Sequence, residues 1–299
     1  MLAPTGDLAA VEIAFFSLAF TVSLFVVIRH GFRRELGWIY LLILSLLRLI
    51  GGSVTLYMQV NHDYNKSLIT TATITSAVGT SPLLLATMGF LQRISEGMEP
   101  HGVTKQLFRP LHIVSLGALI IAIIGGTDRS SSDPNTMQTG KDLAEAASIL
   151  FLAILVGLGG IVAQNIMNLR FVLSSEKNLL RAAVVALPFL LVRVIYTVAS
   201  SFSGPGSPFY YRDENVYLQA FMQFLMEAII VTIFIAAGLL TPKAEIKTGN
   251  YDLESARSKS AVGHQPDMAG NRPSRPQWQP QSVGDYRPSR LIRNALQSR

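Results

Sequence analysis

The feature that most constrains this chain is the recurrence of apolar stretches about 20 residues long, separated by short polar links. Seven can be counted, at about 8–28, 37–58, 68–91, 111–126, 142–165, 182–201 and 217–240. Such a length matches the roughly 20 residues a helix needs to cross the hydrocarbon of a bilayer. Inside lipid every backbone polar group must be satisfied internally, which a helix achieves within one segment. The expected fold is therefore all-α, a polytopic membrane protein built as a bundle of seven transmembrane helices. Charge supports the class, since only 15% of residues are Asp, Glu, Lys or Arg, against about 25% in soluble domains.

Basic residues alternate sharply between successive links. Arg29, Arg33 and Arg34 follow the first stretch; Arg93, Lys105 and Arg109 follow the third; Arg170, Lys177 and Arg181 follow the fifth. Ten more follow Leu240, whereas the opposite links carry only Lys66, Arg129, Lys141 and Arg212. The positive-inside rule then places the N-terminus outside and the C-terminus in the cytoplasm. The leading MLAPTGDL has no basic residue, so the first stretch reads as a retained span rather than a cleaved signal. Asn65-Lys66-Ser67 is a glycosylation acceptor in an expected outer link, close to the membrane. The stretches TDRSSSDPNTMQTGK (127–141) and SFSGPGSPFYYRDEN (201–215) read as turn-rich outer connections.

Composition changes at about Thr241. Residues 241–299 are rich in Pro, Ser, Gly, Gln and charge, with too few apolar residues for a core. They read as a disordered, basic cytoplasmic tail. Its RPSR repeats at 272–275 and 287–290 read as a biased linker, with a docking site for a cytoplasmic partner or anionic lipid as the alternative. The net charge of +6 resides in links and tail, which is a topology signal. The expected partner is the lipid bilayer, and nucleic acid is not expected.

Three charges stand within the spans. Arg48 lies about eleven residues into the second, Arg193 about eleven into the sixth and Glu227 about ten into the seventh. At a rise of roughly 1.5 Å per residue all three reach a similar depth. An unpaired charge there costs on the order of 3 kcal/mol or more, so Glu227 is expected between the two arginines. Glu12 or a bound anion would balance the remaining positive charge.

Polar residues extend from this level in one direction only. Arg48, Gly51, Gly52, Thr55 and Gln59 share a helical face, as do Arg193, Tyr196, Thr197 and Ser200, and Gln219, Gln223 and Glu227. The expectation is an outward-facing polar cavity floored by the ion cluster. Its candidate ligand-binding residues are Arg48, Arg193, Glu227, Gln223 and Tyr196, for a small anionic ligand. The hydroxyls in the outer half of segment 3 (Thr70, Thr71, Thr73, Thr75 and Ser76) read as interhelical hydrogen-bonding glue. Pro82 and Pro188 are expected to kink their helices. Gly157, Gly159 and Gly160 are expected to permit close helix packing. Trp38 and Tyr40 read as an interfacial aromatic pair.

Several chemistries have no visible apparatus. Cysteine is absent, which removes disulfides, thiolate metal sites and a cysteine nucleophile. No HExxH, GxSxG or Walker pattern occurs, and the seventh stretch has no lysine for a retinal Schiff base. No catalytic residue, cofactor or metal is expected, and an enzyme is the minor reading.

RHGFRRELGWIYLLILSLLRLIGG (29–52) and SPLLLATMGFLQR (81–93) resemble a family of fungal seven-span integral membrane proteins catalogued as a domain of unknown function. The resemblance covers about 8–240 and implies the fold, a membrane location and a fungal origin, but no activity. The analogy to seven-helix receptors is one of topology alone, since neither an acidic-Arg-aromatic triplet nor NPxxY is present. The leading reading is a receptor-like or sensor protein with an outward polar cavity. A transporter or lipid translocator is the alternative, and a non-catalytic structural membrane protein the second alternative. The plasma membrane is the expected location, with endomembranes as the alternative.

Overall fold

The computed structural model describes residues 4–30, 36–98, 105–173, 176–204, 206–210 and 215–241. These belong to one compact unit, Met1–Ala244. The expected tail, with both RPSR repeats, lies outside the described residues except for Thr241.

Seven helices are long and apolar enough to cross a membrane, and no strand occurs among the described residues. They are α1 (Pro4–His30), α2 (Leu36–Asn61), α3 (Lys66–Gly97), α4 (Lys105–Arg129), α5 (Pro134–Met167), α6 (Lys177–Phe202) and α7 (Val216–Leu240). Two are irregular. α3 is divided at Gly79 into Lys66–Val78 and Thr80–Gly97. Pro82 follows the break by three residues, and its missing N–H leaves the carbonyl of Val78 without a helical donor. α7 contains a π-helical turn over Gln219–Leu225. Pro188, by contrast, sits inside an uninterrupted α6.

α3 is the most buried of the seven and packs against α2, α4, α5 and α6. Around it α1 packs on α2, α4 on α5, α5 on α6, α6 on α7 and α7 back on α1. The bundle has two faces. The N-terminal face carries the links 62–65, 130–133 and 203–215, and the opposite face the others.

The fourth and fifth helices are longer than their apolar stretches. α4 runs on at both ends into polar residues whose stems can reach beyond the hydrocarbon. α5 starts at Pro134, not 142, because Asp133 and Pro134 form a helix start. Asp133 accepts from Thr136 N at 3.0 Å and Thr136 Oγ1 at 2.8 Å. Those bonds hold its carboxyl below the usual carboxylate range. The stretch 127–141 is therefore mostly helix, with only 130–133 as the link. The α4–α5 corner is tight: a Cβ on Gly140 would come 2.7 Å from the backbone of Asp128.

The far half of the bundle is packed mainly with apolar side chains. The rings of Trp38 and Phe90 lie 4.4 Å apart, and those of Phe90 and Phe234 4.7 Å. Leu41, Leu44, Leu83 and Leu84 are fully buried around them. Trp38 is 1% exposed, which corrects the interfacial reading. Gly238 makes its berth, since a Cβ there would lie 2.5 Å from the indole. The glycines of α5 also depart from expectation: Gly157 faces Leu111 of α4, but Gly159 and Gly160 have open space around them. On the opposite face a partly buried Arg93–Glu176 pair, 2.9 Å apart, ties α3 to the start of α6.

Candidate functional site

α2, α6 and α7 each bring one charge to the middle of the bundle. Glu227 is fully buried. Its carboxylate accepts from Arg48 Nε at 2.6 Å and Nη2 at 2.5 Å, a two-point pair. Oε1 also accepts from Arg193 Nε at 2.6 Å. Glu227 thus lies between the two arginines, as equal depth in the sequence implies. A carboxylate that accepts a bidentate guanidinium and a second charged donor compensates much of the cost of burying these groups.

Neighbouring polar groups extend the network. Arg193 Nη1 donates to Thr197 Oγ1 at 2.7 Å, and that hydroxyl lies 3.0 Å from the hydroxyl of Thr80. Gln223, with its amide oxygen turned to the guanidinium, accepts from Arg48 Nη1 at 2.9 Å. This orientation follows from the donors around it. Arg48 also lies against Gly79 at the break in α3, where a Cβ would come 2.6 Å from Nη2. The break in α3 and the seat of Arg48 are one feature.

A cavity of about 230 Å³ begins at this cluster. All seven helices line it. Its walls lie on one side of the charges: on α2 they run from Arg48 to Thr55, on α6 from Arg193 to Ser201, and on α7 they stop at Gln223. The cavity therefore extends from the cluster toward the N-terminal face, while the other side is the aromatic and leucine layer. Arg48, Arg193, Gln223 and Tyr196 all line it, and Glu227 lies beneath the floor. Tyr196 is 3% exposed, and the Arg193 guanidinium lies 5.8 Å from its ring centre.

In the N-terminal half of α3, among the described residues, only Ser76 bonds to another helix, its Oγ lying 3.4 Å from the amide of Gln223. Thr70, Thr71, Thr73 and Thr75 each donate to the carbonyl four residues earlier in the same helix. Thr73 and Thr75 present the remaining polarity of their hydroxyls to the cavity. The stripe on α2 ends at Thr55, and Gln59 is not part of the wall.

Two further charged groups enter the site: Glu12, which the sequence offered as a balance to the arginines, and Arg129, which spacing did not place there. Glu12 of α1 is 8% exposed and lines the cavity, with Arg48 as its strongest electrostatic partner. Arg129, which as a sequence reads as a link residue, ends α4 in a buried position. It lines the cavity and donates through Nη2 to Ser201 O at 2.9 Å. The tight α4–α5 corner at Gly140 holds it there. The signal for Arg129 is the Asp133-Pro134 helix start, which shortens the link and leaves Arg129 on a helix.

The arrangement places three guanidiniums, one carboxylate and several hydroxyl side chains along one partly open cavity, with Glu227 beneath it. It suits hydrogen-bonded capture of a small polar molecule. Among the described residues no group of three or more histidines and carboxylates could hold a metal.

No curated protein matches the chain. A family model described as "Domain of unknown function (DUF7702)" matches residues 2–244, nearly all of the helical unit. The chain belongs to this DUF7702 family.

Proposed function

We propose that this protein is a receptor-like sensor of a small anionic molecule, taken up in the cavity between the helices. The observation that carries the reading is a partly open cavity of mixed polar and apolar lining that ends on Arg48 and Arg193, both held by Glu227. Charges kept only for packing would need no space beside them. In this reading the N-terminal face is outside, the cavity is reached from there, and the C-terminal end is cytoplasmic. The excess of basic residues in the links of the opposite face supports that orientation. The plasma membrane is the location that suits such a sensor.

The test is binding to the full-length protein in lipid nanodiscs. Small carboxylates and inorganic phosphate are titrated while thermal unfolding is followed. A concentration-dependent rise in melting temperature that Arg193→Gln removes supports the reading. No shift from any anion in the panel overturns it.

Transport is the second reading, and one observation favours it. α3 is broken at Gly79 beside the site and α7 carries a π turn there. Discontinuous helices of this kind form midplane substrate sites in transporters. The packed layer of Trp38, Phe90 and Phe234 weighs against it, because a path through would have to open that layer. Uptake of the bound anion into liposomes would favour transport, and binding without uptake would favour sensing.

A further inference from the structure

The two sides of the cavity differ in chemistry. Arg48 of α2, Arg193 and Thr197 of α6 and Gln223 of α7 line one side. On α4 and α5 the lining residues include Ala122, Ala144, Ala147 and Phe151. The helices pack in the order α4, α5, α6, α7, α1, α2, so α6 and α1 separate these two sets.

The apolar side is one face of α5 with one turn of α4 beside it. Ala144, Ala147, Ser148 and Phe151 all line the cavity, and their spacing of three, four and seven residues puts them on a single helical stripe. Ser148, the hydroxyl among them, donates to Glu145 O in its own helix at 2.8 Å. Arg129 also lines the cavity, but it stands two turns nearer the N-terminal face than Ala122 and donates to Ser201 O there. Deeper than Arg129, this side presents methyl groups and a phenyl ring, with Ala122, Ala147 and Phe151 all buried. Space bounded in this way gives water few partners and favours an apolar occupant. Guanidiniums and an amide at the other side favour an anionic group. A ligand that satisfies both sides carries an anionic head on an apolar body. The body is compact, because about 230 Å³ is less than the roughly 300–1,000 Å³ of a site for a drug-sized molecule. One ring or a short chain suits that space, and a lipid with long acyl chains does not.

We infer that the ligand is a small amphipathic carboxylate, aromatic or short-chain. Its carboxylate meets the Arg48 and Arg193 side, and its apolar body lies on Ala122, Ala147 and Phe151. This inference rests on the reading of the cavity as an anion site and adds the apolar half to it.

The experiment measures binding of acetate, phenylacetate and 2-phenylacetamide to the full chain in phosphatidylcholine nanodiscs. These are a head without a body, the two together, and the same body without charge. Kd is obtained from the ligand-dependent rise in melting temperature. Phenylacetate is expected to bind at least about tenfold more tightly than either of the others, the scale for burying one phenyl ring. Ala147→Leu puts a larger side chain into the apolar side and should erase most of the advantage of phenylacetate over acetate, while acetate binds as before. A cooperative melting transition reports that the variant is folded; if it is not, Ala144→Leu, at a half-buried position, carries the same comparison. Equal binding of acetate and phenylacetate to the parent overturns the inference and leaves the anion site standing. So does a phenylacetate advantage that survives in the folded leucine variant. If neither acid binds the parent, or 2-phenylacetamide binds as tightly as phenylacetate, the anion site itself falls, and the inference with it.

Discussion

Arg48 of α2 lies against Gly79 at the break in α3, so close that a Cβ on residue 79 would come 2.6 Å from Nη2. The end of an arginine ordinarily moves aside at little cost. Here it cannot, because the same nitrogen donates to Glu227 Oε1 at 2.5 Å and Nε donates to Oε2. Gly79→Ala would gain up to about 1 kcal/mol in helix propensity. Disturbing a buried ion pair costs about 3–5 kcal/mol. The expected net loss is about 2 kcal/mol or more, read as a lower unfolding midpoint in detergent. A variant as stable as the parent would show that Arg48 is not fixed in this seat.

Among the described residues Glu227 is the anion that pairs with both floor arginines, so removing its charge takes the carboxylate from two buried guanidiniums. Glu227→Gln is expected to destabilise by about 3–5 kcal/mol, more than Arg48→Gln. Combining the two should restore part of the loss, since only Arg193 then lacks a carboxylate. A double-mutant cycle on thermal or denaturant unfolding gives the coupling. Additive losses would mean that the two residues do not share the energy their geometry implies.

Much of this was legible in the sequence, and the reason is geometric. Lipid crossing sets a length for each helix, so counting residues from the span ends ranks side chains by depth, and Arg48, Arg193 and Glu227 meet at one level. Their periodic neighbours Thr55, Tyr196 and Gln223 gave the direction of the cavity. What depth counting does not reveal is which way a side chain turns around its helix. Trp38 and Tyr40 are two residues apart, yet Trp38 is buried against Phe90 and Gly238 while Tyr40 is half-buried. The seat of Arg48 on Gly79 and the entry of Arg129 depend on contacts between distant elements. The π turn in α7 changes the register at which Gln219 and Gln223 face the cavity, and no local residue pattern announced it.

The hydroxyls of α3 separate into two kinds. Thr71 Oγ1 donates to Ser67 O in its own helix at 2.9 Å, whereas the fully buried Thr80 meets Thr197 of α6 at 3.0 Å. Thr71→Val removes a bond the helix does not need and is expected to change stability by less than about 0.5 kcal/mol. Thr80→Val removes an interhelical bond, expected to cost about 0.6–2 kcal/mol. It also leaves Thr197 without that partner beneath Arg193. Unfolding of the two variants under identical conditions measures the difference, and equal effects would contradict the assignment.

Orientation has a direct test because the chain contains no cysteine, so any single introduced thiol is the only label site. Ser132 is exposed in the α4–α5 link of the N-terminal face, and Gln106 is exposed at the start of α4 on the opposite face. The links of that opposite face, with the sequence beyond Leu240, hold nineteen of the 25 basic residues, against four in the links of the N-terminal face. Lys and Arg resist translocation, so the richer side is expected to stay cytoplasmic. In intact cells a membrane-impermeant maleimide is expected to label Ser132→Cys and to spare Gln106→Cys until the membrane is permeabilised. The reverse pattern would turn the cavity toward the cytoplasm. A ligand reaching Arg48 and Arg193 would then come from inside the cell, and the basic links would be exposed outside. Arg212, which reads as part of an N-terminal-face link, offers the charge-side check. Adding four or more lysines around it should weaken the labelling of Ser132→Cys if charge sets the orientation, and leave it unchanged if the packed bundle alone does.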